Sequence, residues 1–211
     1  MHKIKTHHVS RETFTKVDEL VSEYRERLES YLDQLLWWNK RVNLVSRNVS
    51  RETIREHIRH SLVLSQFEAF KSAELVVDAG TGGGLPGLPL AITHPKKHFV
   101  LNDLVTKKCL AMKQIAQKLR LTNLGIIDGS IEDFEQDHPF LLISKHAFKI
   151  NELYRMTASL PWKNMVLYKG DNFEKELEGI EKSLQVDSYD LSEESEFYQG
   201  KALVFVSRSD G

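Results

Sequence analysis

The chain has 211 residues and a formal net charge of −1, with 29 Lys and Arg against 30 Asp and Glu; 41% of it is hydrophobic and 28% charged. This is the composition of a globular domain with a sizeable core, and it excludes disordered and fibrous classes. No apolar run approaches the roughly 18 residues of a membrane span, no signal-peptide stretch opens the chain, and one cysteine, Cys109, excludes an intrachain disulfide or a multi-cysteine metal site, so a reducing cytoplasm is the expected setting.

From Ser10 to Leu36, apolar residues recur in three- and four-residue steps (Phe14, Val17, Leu20, Val21, Tyr24, Leu28, Tyr31, Leu32, Leu35). That spacing predicts one long amphipathic helix with Ser10 as its N-cap. His2, His7 and His8 before it read as a surface tail. A second helix is expected from about Ser50 through Ile54, Ile58, Leu62 and Val63. The string SRET, at 10–13 and again at 50–53, reads as a helix-start signal used twice. After Lys71 short apolar runs alternate with helical stretches. ELVVDAG (74–80) predicts a buried strand, with a helix opening near Pro86. HFVLND (98–103) predicts a second strand, followed by a helix over Thr106–Arg120. LGIID (124–128), FLLIS (140–144) and MVLYKG (165–170) are three more strands. VDSYDL (186–191) and ALVFVS (202–207) suit an antiparallel closing pair.

Strands alternating with helices predict an α/β fold with a doubly wound, mainly parallel sheet and an antiparallel C-terminal strand. Residues 1–70 read as an N-terminal helical extension, and 71–211 as a Rossmann-like domain packed with it as one unit. Right-handed crossovers put every parallel strand's C-terminal end on one edge, where ligands bind. The glycine turn after the first strand, Asp103, the 129–133 turn and Ser144–His146 are therefore expected to converge.

The near-neutral charge is a sum over unlike parts. Residues 171–198 hold ten acids and two bases, a local net of −8, which leaves +7 on the remainder. Residues 40–60 carry Lys40, Arg41, Arg47, Arg51, Arg55 and Arg59 against Glu52 and Glu56. Residues 104–127 carry Lys107, Lys108, Lys113, Lys118 and Arg120 and no acid. A phosphate backbone responds to such local patches, although either patch alone also suits a solvated helix face. If RNA meets the basic edge, the acidic block should lie away from it.

The strongest chemical signal is VVDAGTGGGLPGLPL, residues 76–90. Glycines directly after a buried strand let the backbone approach a ligand, and exposed amides at the following helix suit a carboxylate, phosphate or ribose. Gly82, Gly84 and Gly87 formally satisfy G-x-G-x-x-G, which permits a dinucleotide. Counted from Gly80, however, the spacing fails at Leu85, and no GKS or GKT follows. Asp78-Ala-Gly80-Thr-Gly82 instead resembles the D-x-G-x-G signature of S-adenosylmethionine-dependent methyltransferases of class I. Asp103 would hold ribose hydroxyls in either kind of enzyme.

LLWWNKRVNL (35–44), EHIRHSL (56–62), VVDAGTGGGLPGLPLAITHP (76–95) and LNDLVTKKCLAMKQI (101–115) resemble, in order and spacing, the RsmG (GidB) family. Its members are bacterial methyltransferases that make 7-methylguanosine in 16S rRNA. The resemblance runs from about residue 30 to 170. It implies S-adenosylmethionine as cofactor, 16S rRNA as partner within the small subunit or its precursor, and guanine 527 of the decoding-region loop as target. It also implies cofactor contacts from Gly80 and Leu85 and an adenine site flanked by Ile131 and Glu132. Lys107 and Lys108 match a basic pair after the second strand, and Lys169 matches the lysine of an L-x-x-K-G ending. Relatives usually read S-R-A after strand four. This chain reads Ser144-Lys145-His146, so either Lys145 or, after a one-residue shift, His146 takes the arginine's place. His60 stands where many relatives carry Asp.

The expected cofactor set is Asp78, Gly80, Gly82, Leu85, Asp103, Ile131, Glu132 and Lys145. RNA phosphates would meet Lys107, Lys108, Lys169, Arg47 and Arg51, and Trp37 or Trp38 would either stack on a base or pack the N-terminal helices. Guanine N7 has a lone pair and no proton, so no catalytic acid or base is assigned; alignment is the enzyme's task. His57 reads as structural. No His, Cys or carboxylate spacing suggests a metal, and a monomer is expected. Three other readings stay open: a methyltransferase of this fold acting on a small molecule or protein, an NAD-linked oxidoreductase, and a degenerate relative acting in subunit assembly.

Overall fold

The computed structural model describes residues 3–170 and 172–208. Ile4–His8 (β1) precedes helices Arg11–Glu23 (α1), Arg25–Asn39 (α2), Arg51–Val63 (α3) and Glu68–Lys71 (α4). Then come Leu75–Ala79 (β2), Gly87–Thr93 (α5), His98–Asp103 (β3), Thr106–Lys118 (α6), Leu124–Asp128 (β4), Phe140–Lys145 (β5) and Ile150–Thr157 (α7). Trp162–Gly170 (β6), Gln185–Asp190 (β7) and Lys201–Ser207 (β8) complete the chain. Among the described residues no helix is long and apolar enough to cross a membrane.

The eight strands form one sheet in the order β1-β7-β8-β6-β5-β2-β3-β4. β8 runs antiparallel to both neighbours, and every other pairing is parallel. This bears out the α/β, doubly wound expectation. Chain order reverses between β2 and β5, the switch point where such sheets open a ligand crevice. There the Ser144 hydroxyl donates to the Ala79 carbonyl at 2.8 Å and fastens the two strands.

Alternation along the strands divides the core in two. Val76, Leu101, Leu141, Ile143 and Val166 face α1, α2, α3, α5 and α6. Val77, Leu142, Met165, Leu167 and Val204 face α7 and the chain around Phe173–Leu184. The N-terminal helices thus share one core with the sheet instead of forming a second one. Both SRET strings start helices as expected: Ser10 Oγ accepts from the Thr13 amide at 3.3 Å and Ser50 Oγ from the Thr53 amide at 3.0 Å, the side-chain cap that Ser supplies.

Two expectations are corrected. The long helix over 10–36 is two helices divided at Tyr24. The division lets α1 lie on α3 while α2 reaches α5 and α6, and neither Gly nor Pro marks it. The supposed tail is strand β1, paired in parallel with β7 from Ile4 against Val186 to His8 against Asp190. Only Ile4 of β1 is half-buried, so no apolar pattern announces it. His7 stacks on Tyr189 and bonds Asp187 at 3.0 Å; His2 lies outside the described residues. The remaining strand expectations hold within a few residues. Helix α7, between β5 and β6, had no counterpart in the sequence reading.

Candidate active site

After β2 the chain turns through Gly80 and Gly82, with φ of +69° and +58°, a region that favours glycine. A Cβ on Gly80 would lie 2.5 Å from Ala147 Cβ and 2.9 Å from the Phe148 ring, so the turn packs directly on the segment after β5. The Thr81 amide donates to Asn102 O and the Gly82 amide to Asp103 Oδ2, each at 2.9 Å, which fastens the turn to the end of β3. Asp78 works from beneath. It is fully buried, and its Oδ2 accepts from Thr81 Oγ1 at 2.7 Å and from the Gly87 amide at 2.8 Å. Burial pushes its carboxyl well above the usual range against the pull of those two bonds. Asp78, expected among the cofactor contacts, therefore shapes the turn from inside.

Above the turn is a cavity of about 250 Å³. Its floor is Gly80–Gly83 and Leu85. One wall is the segment Leu44, Val45, Ser46 and Val49; the other is His57, Lys145 and His146. Asn39 builds the first wall. It is buried at the end of α2, its Oδ1 accepts from the Leu44 and Val45 amides at 2.9 Å each, and its Nδ2 donates to Ser46 O at 3.2 Å. One side chain thus satisfies three backbone groups that the non-helical segment leaves open. Tyr31 supports the floor from α2, donating to Gly83 O at 2.8 Å.

Lys145 ends β5 and is buried. Its Nζ donates to the His57 carbonyl at 3.0 Å and lies 3.3 Å from His57 Nδ1 and 3.5 Å from Ser61 Oγ, so its head joins β5 to α3 behind the cavity wall. Burial draws its amine well below the usual lysine value, with Asp78 pulling it back up. Burial and then the Lys145 charge lower His57 to about 3, which keeps that ring neutral. His60 is fully buried against Tyr168, Phe197 and Tyr198, and among the described residues neither ring nitrogen has a hydrogen-bond partner. Its ring fills space. His146 lines the cavity at φ +58°, so Lys145 and His146 both reach this wall.

The other expected cofactor residues stand along the same strand-end edge. Asp103 ends β3; its Oδ1 accepts from the Val105 amide at 2.9 Å, and Lys108 Nζ lies 3.9 Å from its Oδ2. Each of its oxygens retains a further lone pair. At the end of β4, Ile131 is buried and Glu132 is exposed. An acid beside a glycine turn and an apolar side chain beside a polar one fit a ribose and an adenine ring, and Gly82 leaves the cavity floor without a side chain. The residues present fit a nucleoside cofactor. Among the described residues, no group of three His, Cys, Asp or Glu side chains is placed to hold a metal.

The basic residues divide into two sets. Arg51 holds Glu29 at 2.8 Å and Asp33 at 2.6 Å, Arg55 holds Glu29 at 2.7 Å, and Arg59 joins Asp18 and Glu194 at 2.6 Å each. Their charge is spent on joining α3 to α1, α2 and the acidic block. Lys169 likewise meets Glu176 at 2.6 Å and the Phe148 carbonyl at 3.1 Å. Lys107 is exposed, as are Lys40, Arg41 and Arg47. Trp37 is 47% exposed, whereas Trp38 packs on the core. β7 of the acidic block lies at the opposite end of the sheet from β3 and β4, on which α6 packs. Yet Glu176 and Glu194 reach back to Lys169 and Arg59, so the block is not wholly apart.

Sequence reasoning missed Tyr31 and Asn39 as parts of the site. The W-N-K string contained Asn39, but an amide's role in holding a loop has no periodic signature.

The sheet order and the glycine turn at its switch point define the class I methyltransferase fold. Magnesium protoporphyrin IX methyltransferase from Synechocystis PCC 6803, a structure with bound SAM, superposes with a TM-score of 0.61 at 15% identity, covering 85% of this chain and 97% of that one. Residues 24–204 match the family described as GidB, rRNA small subunit methyltransferase G. The ribosomal RNA small subunit methyltransferase G of Chlorobium chlorochromatii is 31% identical over 199 residues, covering 90% of this chain and 85% of the relative. That of Chlorobium luteolum is 33% identical over 193 residues, with 87% and 81% covered. The chain belongs to the RsmG (GidB) family.

Proposed function

We propose that this protein transfers a methyl group from S-adenosylmethionine to N7 of a guanine in 16S rRNA, guanine 527 of the decoding-region loop. The observation that carries the reading is the cavity between the glycine turn and the 44–49 segment, with Asp103 bonded to the turn beside it. When bound, S-adenosylmethionine supplies an electrophilic methyl on a cationic sulfur. Asp103 would hold the ribose hydroxyls, Ile131 and Glu132 would flank the adenine, and Gly80, Gly82 and Leu85 form the cavity floor. Leu44, Val45 and Val49 exclude water around the target base. Guanine N7 needs no proton removed, so the residues' work is alignment. Lys145 joins β5 to α3 through its bond to the His57 carbonyl and so fixes that wall of the cavity.

An RNA helix recesses N7 in its deep major groove, so the target must be an accessible or splayed-out base. Lys107, Lys108 and Arg47 meet phosphates, while Arg51 and Lys169 are held in ion pairs with Glu29, Asp33 and Glu176. In this reading residues 1–70 are the extension, 71–211 the catalytic domain, and the enzyme is a cytoplasmic monomer acting on the small subunit or its precursor. Mass-spectrometric mapping of 7-methylguanosine in 16S rRNA, with and without the gene, tests it. An unchanged modification pattern refutes it.

A further inference from the structure

The 40–49 segment has two faces. One walls the cavity over the glycine turn. The other, with the end of α2, lines a separate open groove of about 720 Å³ that includes Lys40, Arg41, Asn43, Arg47 and Val49. Val49 borders both spaces, so groove and cavity adjoin across a single side chain. The groove has the size of a small-ligand site, but it is polar and cationic.

Its charge is available, unlike that of its neighbours. Of the six bases in 40–60, Arg51, Arg55 and Arg59 are in ion pairs with carboxylates. Among the described residues, Lys40, Arg41 and Arg47 have no carboxylate partner. Arg47 Nε bonds the neutral Asn43 Oδ1 at 3.1 Å, and Arg41 donates to the Trp37 carbonyl at 2.8 Å. These three exposed cations lie on one short segment. Beside them the Arg41 guanidinium lies 3.5 Å from the centre of the Trp37 ring, and that indole is 47% exposed. Trp37 meets Trp38 edge to face, with ring centres 5.0 Å apart, and still leaves nearly half of its surface open at the end of a helix whose other large apolar residues are mostly buried. The exposed indole offers a π-surface to a base, and the cations beside it suit a phosphodiester.

We propose that this groove binds the single-stranded nucleotides flanking the target guanine, with a base stacked on the Trp37–Arg41 pair and phosphates on Lys40 and Arg47. The inference rests on the RNA-methylating reading above and adds where the strand enters. A duplex does not fit it, because stacking on the platform needs an unpaired base. Occupation of the groove delivers the next nucleotide past Val49 into the cavity, so the segment that holds the strand also walls the reacting site.

The test is steady-state methyl transfer by the full-length chain to unmethylated 16S rRNA, presented both deproteinised and as small subunits. Parent, Trp37→Leu, Arg41→Gln and Arg47→Gln are compared. Each exposed substitution is expected to raise KM for RNA, Trp37→Leu by about tenfold. kcat and the Kd for S-adenosylmethionine should stay within twofold of the parent. A Lys40→Gln/Arg47→Gln double variant should lower the log–log salt slope of RNA binding by about 1.4, close to 0.7 per lost phosphate contact on a single strand. A single-stranded oligonucleotide should inhibit the parent more strongly than it inhibits Trp37→Leu, and a duplex of equal length should inhibit neither. Unchanged KM in all three variants overturns the groove assignment while leaving the activity intact. So does a KM rise confined to small subunits with deproteinised RNA unaffected, which would mark a ribosomal-protein contact. Absence of transfer by the parent to either substrate refutes the methyltransferase reading itself.

Discussion

Tyr31→Phe isolates one oxygen atom at the back of the glycine turn. Tyr31 is fully buried in α2 and donates to Gly83 O at 2.8 Å. Burial, then the nearby Asp78, raise its hydroxyl well above the ordinary tyrosine value, so it remains a donor throughout the working pH range. The substitution keeps the ring and its packing but leaves the buried Gly83 carbonyl without that donor. An orphaned buried acceptor costs about 1–3 kcal/mol. For a chain of this size, roughly 2 kcal/mol lowers Tm by about 4–8 °C. The turn is also the cavity floor, and Leu35 crowds the same glycine, with its Cδ1 2.7 Å from where a Gly83 Cβ would be. A loosened turn should therefore weaken cofactor binding by several-fold, which ligand-free and ligand-bound thermal unfolding together with calorimetric titration will measure. A variant within 1 °C of the parent, with the same cofactor Kd, would show that α2 does not support the turn.

Gly80→Ala must place a side chain at φ +69°, with its Cβ 2.5 Å from Ala147 Cβ. The left-handed conformation alone costs about 1–2 kcal/mol, and the displaced turn should reduce cofactor affinity by more than tenfold in the same titration. Glu29 is lowered to about 2, chiefly by its bonds to Arg55, with burial opposing and Arg51 assisting. Its stabilising contribution is complete above the unfolded value near 4.5 and disappears as pH falls through about 2, so Glu29→Gln should be less stable than the parent at pH 7 and equal to it near pH 2 by urea unfolding. His57 is lowered to about 3, so between about 3 and 6.5 the unfolded chain binds its proton more readily than the folded one. The parent should lose stability on acidification through that window more steeply than His57→Gln does. Parallel curves for the two proteins would contradict the neutral, buried placement of the ring.

The sheet was legible because its strands are short apolar runs bounded by turn residues, and burial on both faces leaves little choice of structure for VVDA or LLIS. The glycine turn was legible because close backbone approach restricts residue type. β1 was not, since one half-buried isoleucine among four exposed residues has no pattern, and its place is set by β7, about 180 residues further on. Arg51 and Lys169 looked available because sequence shows charge but not its partner; Glu29, Asp33 and Glu176 come from other elements. Asp78 was read as a cofactor contact, and its buried carboxylate bonds Thr81 and Gly87 of the turn itself, a placement that depends on which way β2 points its alternate side chains.

Strand β1 also bears on how the protein tolerates changes at its N-terminus. Its pairing covers the N–H and C=O groups of β7 from Val186 to Asp190. Removing residues 3–8 would turn an interior strand into a bare sheet margin, a template for pairing with another chain. The cavity and its lining, separated from β7 by β8 and β6, would stay intact in such a protein. The expected failing is self-association at high concentration, with turnover per folded molecule preserved, and the strand that carries Lys5, His7 and His8 then acts as a guard of solubility.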